Sequence, residues 1–154
     1  MSRTISQAAY PCPYGYLIIR HCGSAVCGIH IGSQLEFPQA PGPVSDLAAT
    51  QILEYLAGNR RDFDFPMMLT GTPFQQSVWS ALSRIPYGEV RTYGQIAQAI
   101  GRPGAARAVG QACNRNPLWI AIPCHRVIGK NSALTGYAGG ISLKQALLKL
   151  EQEH

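Results

Sequence analysis

A chain of 154 residues can bury one core or two small ones, and 46% hydrophobic with 14% charged residues excludes a disordered or fibrous class. Thirteen Lys and Arg against eight Asp and Glu give a formal net charge of +5, a mild bias towards polyanions that only the placement of the arginines can sharpen. Five cysteines without a disulfide-framework spacing, and an opening MSRTISQAAY without an apolar run, point to a reducing, cytoplasmic setting. No run approaches the roughly 20 apolar residues of a membrane span and no internal repeat recurs, so no membrane partner is expected.

In the first third, YLIIR (16–20) and VCGIHI (26–31) are short β-branched runs separated by HCGSA, which predicts a hairpin. FPQAPGPVSD is a proline-rich loop. The helix after it is expected to be capped by Ser45, to bury Ala49, Ile52, Leu53 and Leu56, and to stop at Gly58. A domain boundary is placed near Leu69 to Gly71, giving 1–69 as a small α/β domain and 70–154 as a mostly helical one.

Thr72, Pro73 and Gln75 form a helix start signal before the stripe Phe74, Val78, Leu82 and Ile85. Thr92 and Gln95 repeat it, and that helix ends at Gly101. Only a short turn separates it from GAARAVGQACN, so the pair reads as helix-turn-helix. Ser142 and Gln145 predict a third capping box, on a terminal helix whose Leu143, Leu147 and Leu150 face inward.

The second helix of the pair is unusual. Gly104, Ala105, Ala106, Ala108, Gly110 and Ala112 leave Arg107 as the long side chain near its start. One reading is close packing against a neighbour. The other is clearance: a helix is about 10–12 Å across and the minor groove about 6 Å wide, so small residues let the backbone approach the bases. A single arginine on such a face can fill the space of an extruded nucleotide.

IPCHRVIG (122–129) sets a thiol, an imidazole and a guanidinium side by side in an apolar run. Cys124 in such a run reads as inert core unless a base activates it. On a strand Cys124 and His125 would point to opposite faces, so their cooperation needs a bend, which Pro123 is suited to impose. Glu151, four residues after Leu147, lies partly towards the core, and His125 is the partner that would satisfy it. Cys124, His125 and Glu151 thus form a candidate nucleophile, base and orienter.

Together, PCHRVIG, the preceding RPGAARAVGQACNRNP and the following TGYAGGISLKQALLKLE resemble the O6-alkylguanine-DNA alkyltransferases, from about Thr72 to Glu151; the first seventy residues match only in outline. The resemblance implies a two-lobed α/β protein, with a small N-terminal lobe of ribonuclease H-like topology and a helical C-terminal domain carrying a winged helix-turn-helix. It implies a direct-reversal repair protein that flips O6-alkylguanine out of duplex DNA through the minor groove and takes its alkyl group irreversibly. Cys124 resembles the acceptor, His125 the base acting through a water, Glu151 its orienter and Asn116 the brace of the cysteine turn. Arg107 resembles the finger that replaces the flipped base, and Tyr93 the residue that presses on the phosphate and donates to the leaving guanine. Ala105, Ala106, Gly110 and Cys113 join the DNA contacts; Val127, Tyr137, Ala138, Gly139 and Lys144 line the base pocket, with Lys144 supporting Tyr93.

No cofactor is implied, and the expected state is a monomer that binds DNA singly or cooperatively. The rival of another class is a non-catalytic alkyltransferase-like lesion binder, which lacks the acceptor cysteine. A separate alternative places structural zinc among Cys12, His21, Cys22, Cys27 and His30; thiols packed in a small hairpin core account for these residues more simply.

Overall fold

In a computed structural model, which describes residues 4–35, 38–130, 137 and 139–154, the chain divides into two compact units, Met1–Leu69 with Pro117–Ala121 and Thr70–Asn116 with Ile122–His154. Their content is mixed α/β. Among the described residues, no helix is long and apolar enough to cross a membrane.

The first unit is built on an antiparallel sheet of β1 (Ser6–Cys12), β2 (Gly15–His21) and β3 (Val26–Gly32), in the order β1-β2-β3. The hairpin of β2 and β3 follows from the two β-branched runs, whereas β1 is a strand that the sequence pattern did not announce. SQAAYPC is poor in β-branched residues, and its Pro11, paired with Tyr16, is tolerated because β1 lies at the sheet edge. Central β2 buries Leu17, Ile18 and Ile19. Each such aliphatic side chain contributes roughly 1.5–3 kcal/mol on burial.

Helix α1 (Pro43–Leu56) packs on this sheet. It starts earlier than expected: Gly42 is the N-cap, Pro43 fills the first helical position, and the Ser45 hydroxyl accepts from the Gly42 amide at 2.9 Å. The inward face is correspondingly rotated, burying Ala48, Ala49, Ile52 and Tyr55 in place of Leu53 and Leu56. The end is as expected. Gly58 takes φ 82°, and the Gly58 and Asn59 amides close on the Tyr55 and Glu54 carbonyls. Pro117–Ala121 docks on the outer edge of β3, where the Ile29 amide donates to Pro117 and the Trp119 amide to Ile29.

The second unit contains α2 (Pro73–Leu82), β4 (Arg91–Thr92), α3 (Tyr93–Ala99), α4 (Ala106–Asn114), a 3-10 turn (Cys124–Arg126), β5 (Val127–Ile128) and α5 (Ile141–Glu153). Both expected Thr–Gln boxes form: the Gln75 and Gln95 amides each donate to their threonine hydroxyl at 3.1 Å, and each glutamine oxygen accepts in return. The third box does not. Gly140, at φ 93°, turns the chain so early that Ile141 is already helical and Ser142 falls inside the first turn.

Helices α2, α3 and α4 pack on one another. Trp79 ties them together: its indole N–H donates to the Ala112 carbonyl at 2.9 Å, and its ring lies so close to Gly71 that a Cβ there would be 2.7 Å away. Between α3 and α4, Gly101 at φ 77° and the Arg102 amide bonded to Ala97 complete the tight stop that the glycine predicted. Short β4 and β5 run parallel, with Arg91 opposite Val127, and so fix the start of α3 beside the chain that leaves the cysteine turn.

Candidate active site

The path into Cys124 is bent, as the proline suggested. Pro123, at φ −81° and ψ 63°, is the centre of an inverse γ-turn closed by the Cys124 amide on the Ile122 carbonyl at 2.8 Å. The 3-10 turn follows at once, with the Arg126 amide on the Pro123 carbonyl at 3.0 Å. Three consecutive side chains therefore fan inward instead of alternating between two faces. Cys124, His125 and Arg126 are 2%, 0% and 6% exposed.

Asn116 braces this bend. Its amide nitrogen donates to the Ile122 carbonyl at 2.8 Å and to the Cys124 sulfur at 3.2 Å, so one side chain holds both the turn and the thiol. Burial pushes the Cys124 thiol from 9.0 up to about 11, against the opposing Asn116 donor and Lys144 charge. At neutral pH the thiolate fraction is then on the order of one part in ten thousand. The resting site holds a neutral thiol, which differs from a cysteine kept ionised by its histidine. Alkylation of Cys124 by iodoacetamide in the DNA-free protein is accordingly expected to be slow at pH 7 and to rise about tenfold per pH unit towards pH 11; a plateau below pH 8, read by peptide mass, contradicts this.

His125 hydrogen-bonds through Nε2 to Glu151 Oε2 at 2.7 Å. Glu151 is itself buried and also accepts from Arg126 Nε at 2.8 Å, Arg126 Nη2 at 2.9 Å and the Gly88 amide at 3.0 Å. A carboxylate surrounded by donors is an acceptor, so His125 Nε2 carries the hydrogen and Nδ1 is the basic nitrogen of the neutral ring. Burial pushes His125 below its ordinary 6.5, although the Glu151 partner opposes this. The imidazole is therefore a neutral base at pH 7.

Lys144 is fully buried on α5 and donates to the Val127 carbonyl, while its ammonium lies 5.8 Å from the centre of the Tyr93 ring. Burial pushes its pKa down, and the nearby Cys124 and Cys113 sulfurs push it back up. Tyr137 is buried, and desolvation followed by the Cys124 charge drives its phenol well above 10.0, so it remains a neutral hydroxyl.

Arg107 stands exposed on α4, with Ala105, Ala106 and Gly110 half-buried around it. A cavity of about 420 Å³ opens between the starts of α3 and α4, lined by Tyr93, Ala106, Arg107, Gly110, Asn114 and Lys130 among others. The Tyr93 ring comes within 3.7 Å of where a Gly110 Cβ would stand, so the small residue seats the aromatic ring against α4.

Residues 73–153 match the family model described as 6-O-methylguanine DNA methyltransferase, DNA binding domain. The chain is 49% identical over 146 residues to the methylated-DNA--protein-cysteine methyltransferase of Mycobacterium bovis, covering 91% of this chain and 88% of that one. That of Methanosarcina acetivorans is 59% identical over 104 residues, 68% of this chain and 67% of the relative. The chain belongs to this methyltransferase family. A family structure, the O6-methylguanine methyltransferase of Mycobacterium tuberculosis, superposes with a TM-score of 0.88 at 45% identity, covering 97% of this chain and 94% of that one. The Mycobacterium tuberculosis OGT in complex with DNA does so at 0.87 and 46%, covering 96% and 92%.

Of the residues taken from the family pattern, Cys124 meets Asn116, the adjacent His125 meets Glu151, and Tyr93 meets Lys144; Cys124, His125, Glu151 and Asn116 are all buried. Val127 is fully buried, and its carbonyl accepts from Lys144. Gly139 is half-buried beside Tyr137, and Ala138 lies outside the described residues.

Cys113 is a correction. It is 3% exposed, on the inward face of α4 with Val109 and Ala112, so it does not share the exposed side of that helix with Arg107, where the resemblance placed it. The i, i+3, i+4 spacing of those three residues turns it inward. Burial and the Cys124 charge push its thiol up to about 12.

Arg126 is the residue that sequence reasoning passed over. A cation in an apolar run reads as surface, and the signal that it is not lies 25 residues later, in the same glutamate that was assigned to His125. In the first unit, His21 Nε2 bonds to the Ala40 carbonyl and the Cys22 thiol to the Ala25 carbonyl. Among the described residues, no group of three or more His, Cys, Asp or Glu side chains gathers as a metal site.

Proposed function

We propose that this chain is a direct-reversal DNA repair protein, a methylated-DNA–protein-cysteine S-methyltransferase that accepts the alkyl group of O6-alkylguanine on Cys124 in a single turnover. The observation that carries the reading is the buried Cys124 thiol held by Asn116 beside a neutral His125 whose Nε2 is fixed by Glu151. The DNA partner is duplex, approached from the minor groove by α4. The small residues there give clearance, and Arg107 fills the stack when the damaged nucleotide is extruded.

In the proposed step, the Cys124 proton leaves through a water to His125 Nδ1, and the sulfur attacks the alkyl carbon in line. The S–C bond forms as the C–O6 bond breaks, and its electron pair stays on the guanine. The leaving base takes a proton on its ring from Tyr93, which Lys144 steadies, and the proton held on His125 restores the balance. Thiol and O6-alkylguanine become thioether and guanine with no net proton lost. The chain's own groups account for the reaction without a cofactor. A thioether is not readily cleaved, so each chain acts once.

In this division of labour 1–69, joined by Pro117–Ala121, is a small α/β domain of ribonuclease H-like topology, and the rest of 70–154 is the DNA-binding and alkyl-acceptor domain, with α3 and α4 as the helix-turn-helix and the β4–β5 region as its wing. Five free cysteines suit a reducing cytoplasm. Phosphate contacts dominate binding, which therefore weakens with rising salt. The non-catalytic lesion-binding alternative is disfavoured by the acceptor cysteine itself.

The test is a duplex carrying one O6-methylguanine, incubated with excess protein and digested to nucleosides. Restored guanine, equal at most to one per chain, is expected; persistence of the lesion at protein excess overturns the reading. Arg107→Ala is expected to slow transfer from the duplex roughly 10- to 100-fold, reflecting the few kcal/mol needed to extrude a base, while transfer from the free O6-alkylguanine base is unchanged. An equal loss on both substrates would remove Arg107 from the flipping step.

A further inference from the structure

The Glu151 carboxylate is shared. One oxygen takes Arg126 Nε and the Gly88 amide, the other takes Arg126 Nη2 and His125 Nε2. The guanidinium is itself anchored: Nη1 donates to the Ile85 carbonyl at 2.8 Å, and the Tyr87 ring lies 5.6 Å from its carbon. We propose that Arg126 is a positioning residue for proton transfer, a fork that fixes both oxygens of Glu151 so that His125 is held through Nε2 and stays neutral until it receives the Cys124 proton. This rests on the alkyl-transfer reading and adds a residue that the nucleophile, base and orienter do not include.

Geometry supports the orienting half. A bidentate fork leaves the carboxylate plane no freedom to rotate, and a lysine, with a single point charge, cannot impose that plane. Electrostatics supports the other half. The carboxylate that favours a charged imidazole already neutralises a cation, and that cation also repels a second one. The charged groups acting on His125 are Glu151 and Lys144 from α5 and Arg126 from its own turn, with the Cys124 thiol adjacent; Arg126 and Lys144 both oppose its protonation. Helix α2 also packs on this turn and carries no titratable side chain to compensate.

The consequence is a pH range. With Arg126 in place, His125 stays unprotonated, hence competent as a base, to a lower pH than an ordinary imidazole. If Arg126 becomes methionine, the undivided Glu151 charge favours imidazolium, and the acid limb of the transfer rate moves to higher pH. An opposite charge within about 4–6 Å shifts such a group by roughly 1–3 units.

The experiment is single-turnover methyl transfer from O6-methylguanine duplex, followed between pH 5 and 9 for the wild-type chain, Arg126→Met and Arg126→Lys. The acid limb of Arg126→Met is expected to move up by about one pH unit or more. Arg126→Lys keeps the charge and loses the fork, so it is expected to react about tenfold more slowly at every pH with its limb within half a unit of wild type. A uniformly slowed Arg126→Met with an unmoved limb marks a merely structural residue and overturns the proposal. If Arg126→Met does not fold, Arg126→Lys decides: wild-type rates at every pH overturn it. Absence of transfer by the wild-type chain would instead remove the repair function on which the proposal rests.

Discussion

Cys124→Ala is expected to abolish alkyl transfer and to leave DNA binding within about twofold of wild type. The sulfur has no substitute. Cys113, the other thiol of the second unit, is buried on α4 with its pKa pushed up to about 12, so it offers even less thiolate than Cys124. The substitution removes one atom from a buried site, and the Asn116 amide retains its bond to the Ile122 carbonyl, so the turn keeps its brace. The stability cost is accordingly about 1 kcal/mol, at the low end for truncation of a buried side chain. Arg107 and the α4 surface are untouched. Binding by fluorescence anisotropy, read beside transfer on the same duplex, separates the two properties: transfer within tenfold of wild type would remove Cys124 as the acceptor.

Glu151→Ala carries the largest expected effect on stability. It leaves the Arg126 guanidinium buried with its bidentate partner gone, frees His125 Nε2 and strips the Gly88 amide of its acceptor. Breaking a buried ion pair by removing one partner costs about 3–5 kcal/mol. For a chain of this size that corresponds to a fall in Tm of roughly 6–20 °C. Transfer should fall as well at temperatures where the variant is folded, because the His125 tautomer is no longer fixed. Glu151→Gln keeps the shape but not the charge, and is expected to lie between the two. A Tm within 2 °C of wild type for Glu151→Ala, measured by calorimetry, would mean that the cluster is not an energetic unit.

The helix starts at Thr72 and Thr92 were legible because a capping box is a local device: four residues contain both hydrogen bonds. The same pattern at Ser142 misled, since Gly140 begins the helix before the serine can cap it. At α1 the Gly42–Pro43 start likewise displaced Ser45 inward. Strand β1 was hidden by its composition; only its place at the edge of a sheet makes Pro11 acceptable there, and that is tertiary information.

Within the site, Cys124 and His125 were readable from a short motif and its bend, and Asn116 only from the family resemblance. The pairing of Glu151 with His125 was readable from helical phase. Two things were not. The charge state of the thiol depends on burial from every side, which no string of residues displays, and Arg126 depends on a partner that the sequence had already assigned elsewhere. Both omissions concern electrostatics, and both bear on the proposed step, in which a neutral thiol and a neutral imidazole exchange a proton.

The central claim is that Cys124 takes the alkyl group, once. The most direct measurement is the intact mass of the wild-type chain after incubation with excess O6-methylguanine duplex, followed by peptide mapping. The account predicts a single added methyl group, on the peptide containing Cys124, with no further addition at longer times. A methyl on another residue, more than one per chain, or repaired guanine in excess of protein would contradict it.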